Sequence, residues 1–173
     1  MPKVTDPNTW EFAKFALERN DEAIRFSETK AALIFTLIGL FLGIIADKIP
    51  LFKDLFQSPS CTIRILSIIS MVIILFGIVL VVTFSLAAVF PRLRISKETS
   101  YLFFTDVANL GEQETITHIS SLNSNDKLKH TLAQVYSTSV IANRKFNLLR
   151  YALVGTVIVL LGLLLAILTI FLV

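Results

Sequence analysis

A single cysteine, Cys61, occurs in 173 residues. Neither an internal disulfide framework nor a cysteine-based metal site is therefore available. The sequence has no Gly-rich phosphate loop and no His-Glu-x-x-His run. His118 and His130 stand on separate predicted helices with no cysteine nearby, and no serine sits in a G-x-S-x-G turn. These absences remove the usual sequence routes to catalysis, so the chain reads as a non-enzyme without a metal or cofactor. Charge is scarce as well: 17% of residues are charged and 54% are apolar. The deficit is concentrated in three runs, 31–46, 65–90 and 151–173, which contain no Asp, Glu, His, Lys or Arg. Proton relays and coupled transporters place ionisable groups at membrane depth, so that class is excluded too. No small-x-small cleavage pattern follows the first run, which begins after 30 mostly polar residues, and no signal peptide is expected. The net charge of +3 does not point to nucleic acid, because the basic residues cluster beside the apolar runs.

The remaining sequence is organised around the stretch from Asp126 to Val173. Its first half repeats Leu128, Leu132, Val135, Ser139, Ala142, Phe146 and Leu149 at alternating steps of four and three. That spacing predicts a helix with a heptad seam, apolar except at Ser139. Its second half, 151–173, is uncharged and long enough to cross a hydrocarbon core of about 30 Å. No Pro or Gly interrupts the stretch between Asp126 and Arg150. A water-exposed helix is thus predicted to run directly into a membrane span. The seam has two possible partners, another helix of the same chain or a second subunit.

The other segments follow in order. Residues 1–30 predict a cytosolic helix capped by Asp6 with Pro7 in its first turn. Trp10, Ala13, Leu17 and Ile24 share one face, with a gap at Asn20 and Asp21. That stripe suits a partner helix. Its mixed polar face argues against a helix lying flat on lipid. Residues 31–46 form the first span, short enough that Lys30 is needed to snorkel. Gly39 and Gly43 supply a small-xxx-small face within it, and Gly155 and Gly162 are further small packing positions in the last span. Residues 47–64 read as an external polar loop and 65–90 as the second span, ended by Pro91. In 91–150, Tyr101–Phe104 is an aromatic cluster, Asn109–Gly111 a turn, and Glu112–Leu122 a helix with Ile116, Ile119 and Leu122 on one face. Ser124 or Asn125 is the expected cap of the long helix. Lys and Arg number five in 1–30, three in 47–64 and eight in 91–150. By the positive-inside rule the first and third segments face the cytoplasm. The expected architecture is an all-α membrane protein: three transmembrane helices, a small cytosolic helical module, and a last span continuous with a cytosolic stalk. The N-terminus is cytoplasmic and the C-terminus periplasmic. In the simplest packing the 112–122 helix and the N-terminal helix lie against the seam.

Four stretches together resemble the transmembrane effectors of the Pycsar antiphage system, the pyrimidine cyclase system. Arg25–Ala32 resembles that family's Asp-x-Lys-Ala motif at the first span, with Glu28 in the Asp position followed by Lys30 and Ala31. Phe90-Pro91-Arg92 closes the second span. Leu102–Ala108 and Lys145–Ala152 complete the set. The resemblance implies an effector of the bacterial inner membrane that responds to a cyclic pyrimidine mononucleotide, cyclic CMP or cyclic UMP, made by a partner nucleotide cyclase. It also implies damage to that membrane, causing abortive infection; a homo-oligomer is expected separately, from the heptad seam pairing between subunits. The resemblance does not place the messenger. A phosphate and a flat base call for cations, an aromatic wall and polar groups. Arg92, Arg94, Tyr101, Phe104, Asn143, Lys145, Asn147 and Arg150 offer them near the cytosolic face. Basic residues there also serve orientation and bind anionic headgroups. Glu28 is better placed to reach Arg92 or Lys145 than Lys30, two residues away on one helix. The competing class is a small membrane scaffold that holds a soluble partner through the seam.

Overall fold

The computed structural model describes residues 7–57, 60–90, 107, 109 and 111–172. Asp6, Pro91, Arg92, Arg94, Tyr101, Phe103 and Phe104 lie outside the described residues. Within them the chain is all-α, with five helices and no strand. These are α1 (Pro7–Asp47), α2 (Ile49–Phe56), α3 (Cys61–Val89), α4 (Glu112–Ser121) and α5 (Ser124–Phe171). Three of them, α1, α3 and α5, are long and apolar enough to cross a membrane. In water the Ile- and Val-rich sequence of α3 would suit a strand. In lipid every backbone group must bond within its own segment, and the helix achieves that alone. At about 1.5 Å per residue α1 and α5 are about 60 Å and 72 Å long, each about twice the hydrocarbon thickness or more.

The N-terminal helix and the first span are therefore one element. The connection 47–64, expected as a loop, contains α2. Its start suits Pro50 in the first turn, and Phe52 and Leu55 are buried. Phe90 has extended backbone, as the residue before Pro91 must, and α3 ends there. Gly111 adopts a φ of +79°, a conformation only glycine takes without strain, and it is the N-cap residue of α4. The cap of α5 is neither Ser124 nor Asn125. Asn123 Oδ1 accepts from the Asp126 amide at 2.8 Å, so the helix begins at Ser124, one residue earlier than a Ser124 cap would place it.

The chain divides into two compact units, Met1–Phe26 with Pro91–Arg144 and Ser27–Phe90 with Lys145–Val173. In the first, Ala13 of α1 is buried together with Leu128, Thr131, Thr138 and Ala142 of α5. α4 contributes no buried residue, and its Ile116 and Ile119 are exposed. The expected packing of α4 on the seam is not what is found.

The second unit holds the larger core. Ile38 and Ile45 of α1, Phe52 and Leu55 of α2, Ile74, Ile78 and Val81 of α3, and Val159 and Ala166 of α5 form one cluster. Ala31, Ala88 and Leu149 form a second. α3 and α5 approach closely through glycines. A Cβ on Gly77 would lie 2.9 Å from the Val159 amide nitrogen, one on Gly155 3.1 Å from that of Val81, and one on Gly162 3.1 Å from that of Ile74. Small residues give helices in lipid this backbone proximity, which compensates for the absence of a hydrophobic driving force between them. Gly39 and Gly43 are different: both are exposed, and an added Cβ would meet nothing within 4 Å.

Candidate functional site

The seam of α5 is turned by one residue from its apolar pattern. Leu128, Val135, Ala142 and Leu149 are buried or half-buried as the heptad predicts. The alternate positions are taken by Thr131, Thr138 and Lys145, all buried. Leu132, Ser139 and Phe146, the residues the pattern selected, are exposed. α1 keeps its predicted stripe in the first unit, with Ala13 buried and Trp10, Leu17 and Ile24 half-buried. Its half-buried face includes Asn20 beside Leu17 and Ile24, so the gap in its apolar stripe is a position in the seam.

The chemistry explains the shift. In the first unit, Asn20 Nδ2 donates to Val135 O at 3.0 Å, Thr138 Oγ1 at 3.1 Å and Ser139 Oγ at 2.8 Å. Thr138 and Ser139 direct their own protons back along α5. Thr138 donates to Gln134 O, and Ser139 to Val135 O at 2.7 Å. Their lone pairs are left to accept from the carboxamide. A neutral polar group half-buried in a helix seam must find such partners, and only one rotational setting of α5 supplies them.

In the second unit the equivalent position is ionic. Lys145 Nζ donates to Glu28 Oε1. The Lys145 side chain is 8% exposed and that of Glu28 40%. Just beyond, Ala31 is fully buried in the cluster with Ala88 and Leu149. Stretches far apart in sequence therefore meet here: Glu28 and Ala31 from one, Lys145 and Leu149 from another. Glu28 reaches Lys145, one of the two partners its position suggested. Ser27, fully buried, belongs to the same helix face.

Of the proposed ligand residues, Arg92, Arg94, Tyr101 and Phe104 lie outside the described residues. Lys145 has its charge committed to Glu28. Asn143 is exposed in the first unit, and Asn147 and Arg150 are exposed in the second. Lys30 is exposed while Ala31 is buried. Asn20 and Thr138 are functional-looking polar residues that apolar periodicity missed. The available signal was the heptad spacing of Asn20 with Ala13, Leu17 and Ile24. What the arrangement does chemically is fix how two helices face one another.

Comparisons with known proteins show the family. Residues 12–173 match the family described as Pycsar effector protein domain. The chain is 25% identical over 141 residues to the Pycsar effector protein SaPycTM of Staphylococcus aureus, covering 81% of this chain and 82% of that protein. No solved structure matches. The family match covers nearly the whole chain, including the Glu28–Lys145 pair and all three long apolar helices, and the chain belongs to the Pycsar effector family.

Proposed function

We propose that this Pycsar effector is the membrane-damaging arm of an antiphage response. A cyclic pyrimidine mononucleotide, cyclic CMP or cyclic UMP, reaches its cytosolic residues from a partner cyclase. Binding shifts the helices of the first unit, a homo-oligomer forms or rearranges, and the bacterial inner membrane is impaired before phage mature. The N-terminus and the 91–150 segment face the cytoplasm and the C-terminus the periplasm, in keeping with the lysine and arginine counts. The observation that carries the reading is α5, one helix with a polar, hydrogen-bonded half and an apolar, lipid-suited half. Little energy is required of the messenger. A state populated at about 1% at rest reaches half occupancy with about 2.7 kcal/mol of differential binding.

With Lys145 engaged by Glu28, the cations that remain for the phosphate are Arg92, Arg94 and Arg150. Tyr101 and Phe104 remain for stacking, and Asn143 and Asn147 for the base edge. Calorimetry on the detergent-purified protein with a panel of cyclic mononucleotides tests this. Selective binding of a pyrimidine member, lost in Arg92→Ala or Arg150→Ala, supports a direct receptor and its site. Selective binding that survives both keeps the receptor and discards the residues. No binding by folded protein overturns the direct-receptor reading.

One observation favours a scaffold that holds a soluble partner. Phe12, Phe15, Ile116 and Ile119 are exposed apolar residues in the first unit, outside the apolar runs. Co-purification of a stoichiometric protein partner, without a leakage phenotype, would select that reading.

A further inference from the structure

Along the seam of α5, neighbouring residues compete in pairs for one place. In the first unit the pairs are Thr131 with Leu132 and Thr138 with Ser139. Thr131 and Thr138 hold the places, at 5% and 6% exposed, while Leu132 is 43% exposed and Ser139 lies outside as well. Leu128 and Val135 serve either choice, because each stands three residues before one candidate and four before the other. In the second unit Lys145 is buried and Phe146 exposed, and there the Glu28 carboxylate makes the choice. Removal of apolar surface from water would by itself select Leu132 and Phe146. The observed setting leaves both outside.

The two settings differ by a small turn. At about 100° per residue, a three-residue step falls about 60° short of a full turn and a four-residue step passes it by about 40°. The centre of the packed face therefore moves by about 50° from one setting to the other. Neither setting strands a hydroxyl, since Thr131 donates to Lys127 O, Thr138 to Gln134 O and Ser139 to Val135 O, all within α5. The three acceptors of Asn20 bridge the choice. Thr138 Oγ1 belongs to the observed setting, Ser139 Oγ to the other, and Val135 O to both. A turn thus asks one carboxamide N–H to give up a partner, and it brings Leu132 under cover. Two arrangements so closely matched make a bistable element.

We infer that α5 has a second setting against α1 in the first unit, turned by about 50°, with Leu132 and Ser139 in the seam in place of Thr131 and Thr138. The inference rests on the reading above, in which the messenger shifts the helices of this unit, and specifies that shift as axial rotation. Full-length protein in detergent, in a Cys61→Ala background, carries one reporter, Thr131→Cys or Leu132→Cys. The rate of labelling by a charged maleimide is read without nucleotide. In the observed setting the Leu132→Cys thiol is expected to react about tenfold faster than the Thr131→Cys thiol, following the exposures of 43% and 5%. Asn20→Leu with Ser139→Leu makes the turned seam apolar and is expected to invert that order. Asn20→Leu with Thr138→Leu makes the observed seam apolar and is expected to keep it.

The same order of rates in both double variants, with helicity retained, overturns the inference. So does protection of the Leu132→Cys thiol without faster labelling of Thr131→Cys, which is the result a second copy covering Leu132 would give. If a double variant loses helicity, Ser139→Leu and Thr138→Leu alone are read by the same criteria. Failure of the messenger reading looks different: the Ser139→Leu double variant inverts the order, while cyclic CMP and cyclic UMP leave it unchanged in reporters with Asn20, Thr138 and Ser139 intact.

Discussion

Replacing Glu28 with Gln keeps the shape of the side chain and removes the carboxylate that Lys145 faces. The two partners are unequally placed, with Lys145 8% exposed and Glu28 40%, and this inequality sets the expected magnitudes. Glu28→Gln strands an ammonium that water hardly reaches, at a cost of about 2–3 kcal/mol. Lys145→Met removes the buried charge and fills its space with an apolar chain of similar length. The freed Glu28 carboxylate is exposed enough to rehydrate, so the cost is about 1 kcal/mol. The double variant should be more stable than the sum of the singles predicts, by about 1 kcal/mol or more. For a chain of this size 2 kcal/mol corresponds to about 4–8 °C in the midpoint. The assay is thermal loss of the helical circular dichroism signal in one detergent, for the wild type, both singles and the double. Equal losses from the two singles, or additivity within about 0.5 kcal/mol, would refute the buried-pair argument and reduce the contact to a screened surface bridge.

Asn20→Ala leaves Ser139 Oγ and Thr138 Oγ1 without their donor and should lower stability by about 1–2 kcal/mol in the same melt. An Asn20→Leu protein as stable as the wild type but blind to the messenger would mark Asn20 as a register device. Gly155→Leu must push Val81 away from α5 and should cost about 1–3 kcal/mol, whereas Gly39→Leu, with open space around it, should stay within about 0.5 kcal/mol. The reverse order of these two melts would contradict the α3–α5 contact. Asn123→Ala removes the cap of α5 and should cost about 1 kcal/mol, read as earlier hydrogen exchange in the first turn of that helix. Ala142→Pro should cost about 3 kcal/mol and abolish messenger-dependent toxicity in cells carrying the cyclase; toxicity that persists counts against coupling along α5.

Apolar runs without charge announced three membrane-length helices, and the uninterrupted stretch from Asp126 announced α5 as a single element. Those features are legible because they depend on hydropathy and on the absence of Pro and Gly, both local properties. The setting of the seam was not legible in the same way. An apolar criterion prefers Leu132 and Phe146 to Thr131 and Lys145, and it treats Asn20 as a gap. The residues that decide the setting are polar, and their burial makes sense only once the partner helix is known to bring Asn20 or Glu28 opposite them. The glycines make the same point. Gly39 and Gly43 have a tighter small-residue spacing than Gly155 and Gly162, yet the latter meet another backbone and the former do not. Spacing on one helix says which residues share a face, and it is silent on what that face meets. Ligand residues are hard to single out in a sequence of this kind, because cations near a membrane face serve orientation and recognition with the same side chains.

The glycine contacts also decide which parts of the second unit are free to slide. A shift of α3 along α5 by one residue would carry bulky neighbours of Gly77, Gly155 and Gly162 into gaps too small for a single Cβ. The two helices are interlocked against axial slippage, like a key cut to three notches. α1 has no such notches, since Gly39 and Gly43 face away and its hold in this unit comes from side chains such as Ala31, Ile38, Ile45 and Glu28. Side-chain contacts repack in steps small enough to be driven by a ligand, whereas an interlocked pair must separate before it can move. A mechanical stimulus applied to the membrane half therefore meets one stiff body, α3 with α5, and one compliant helix, α1.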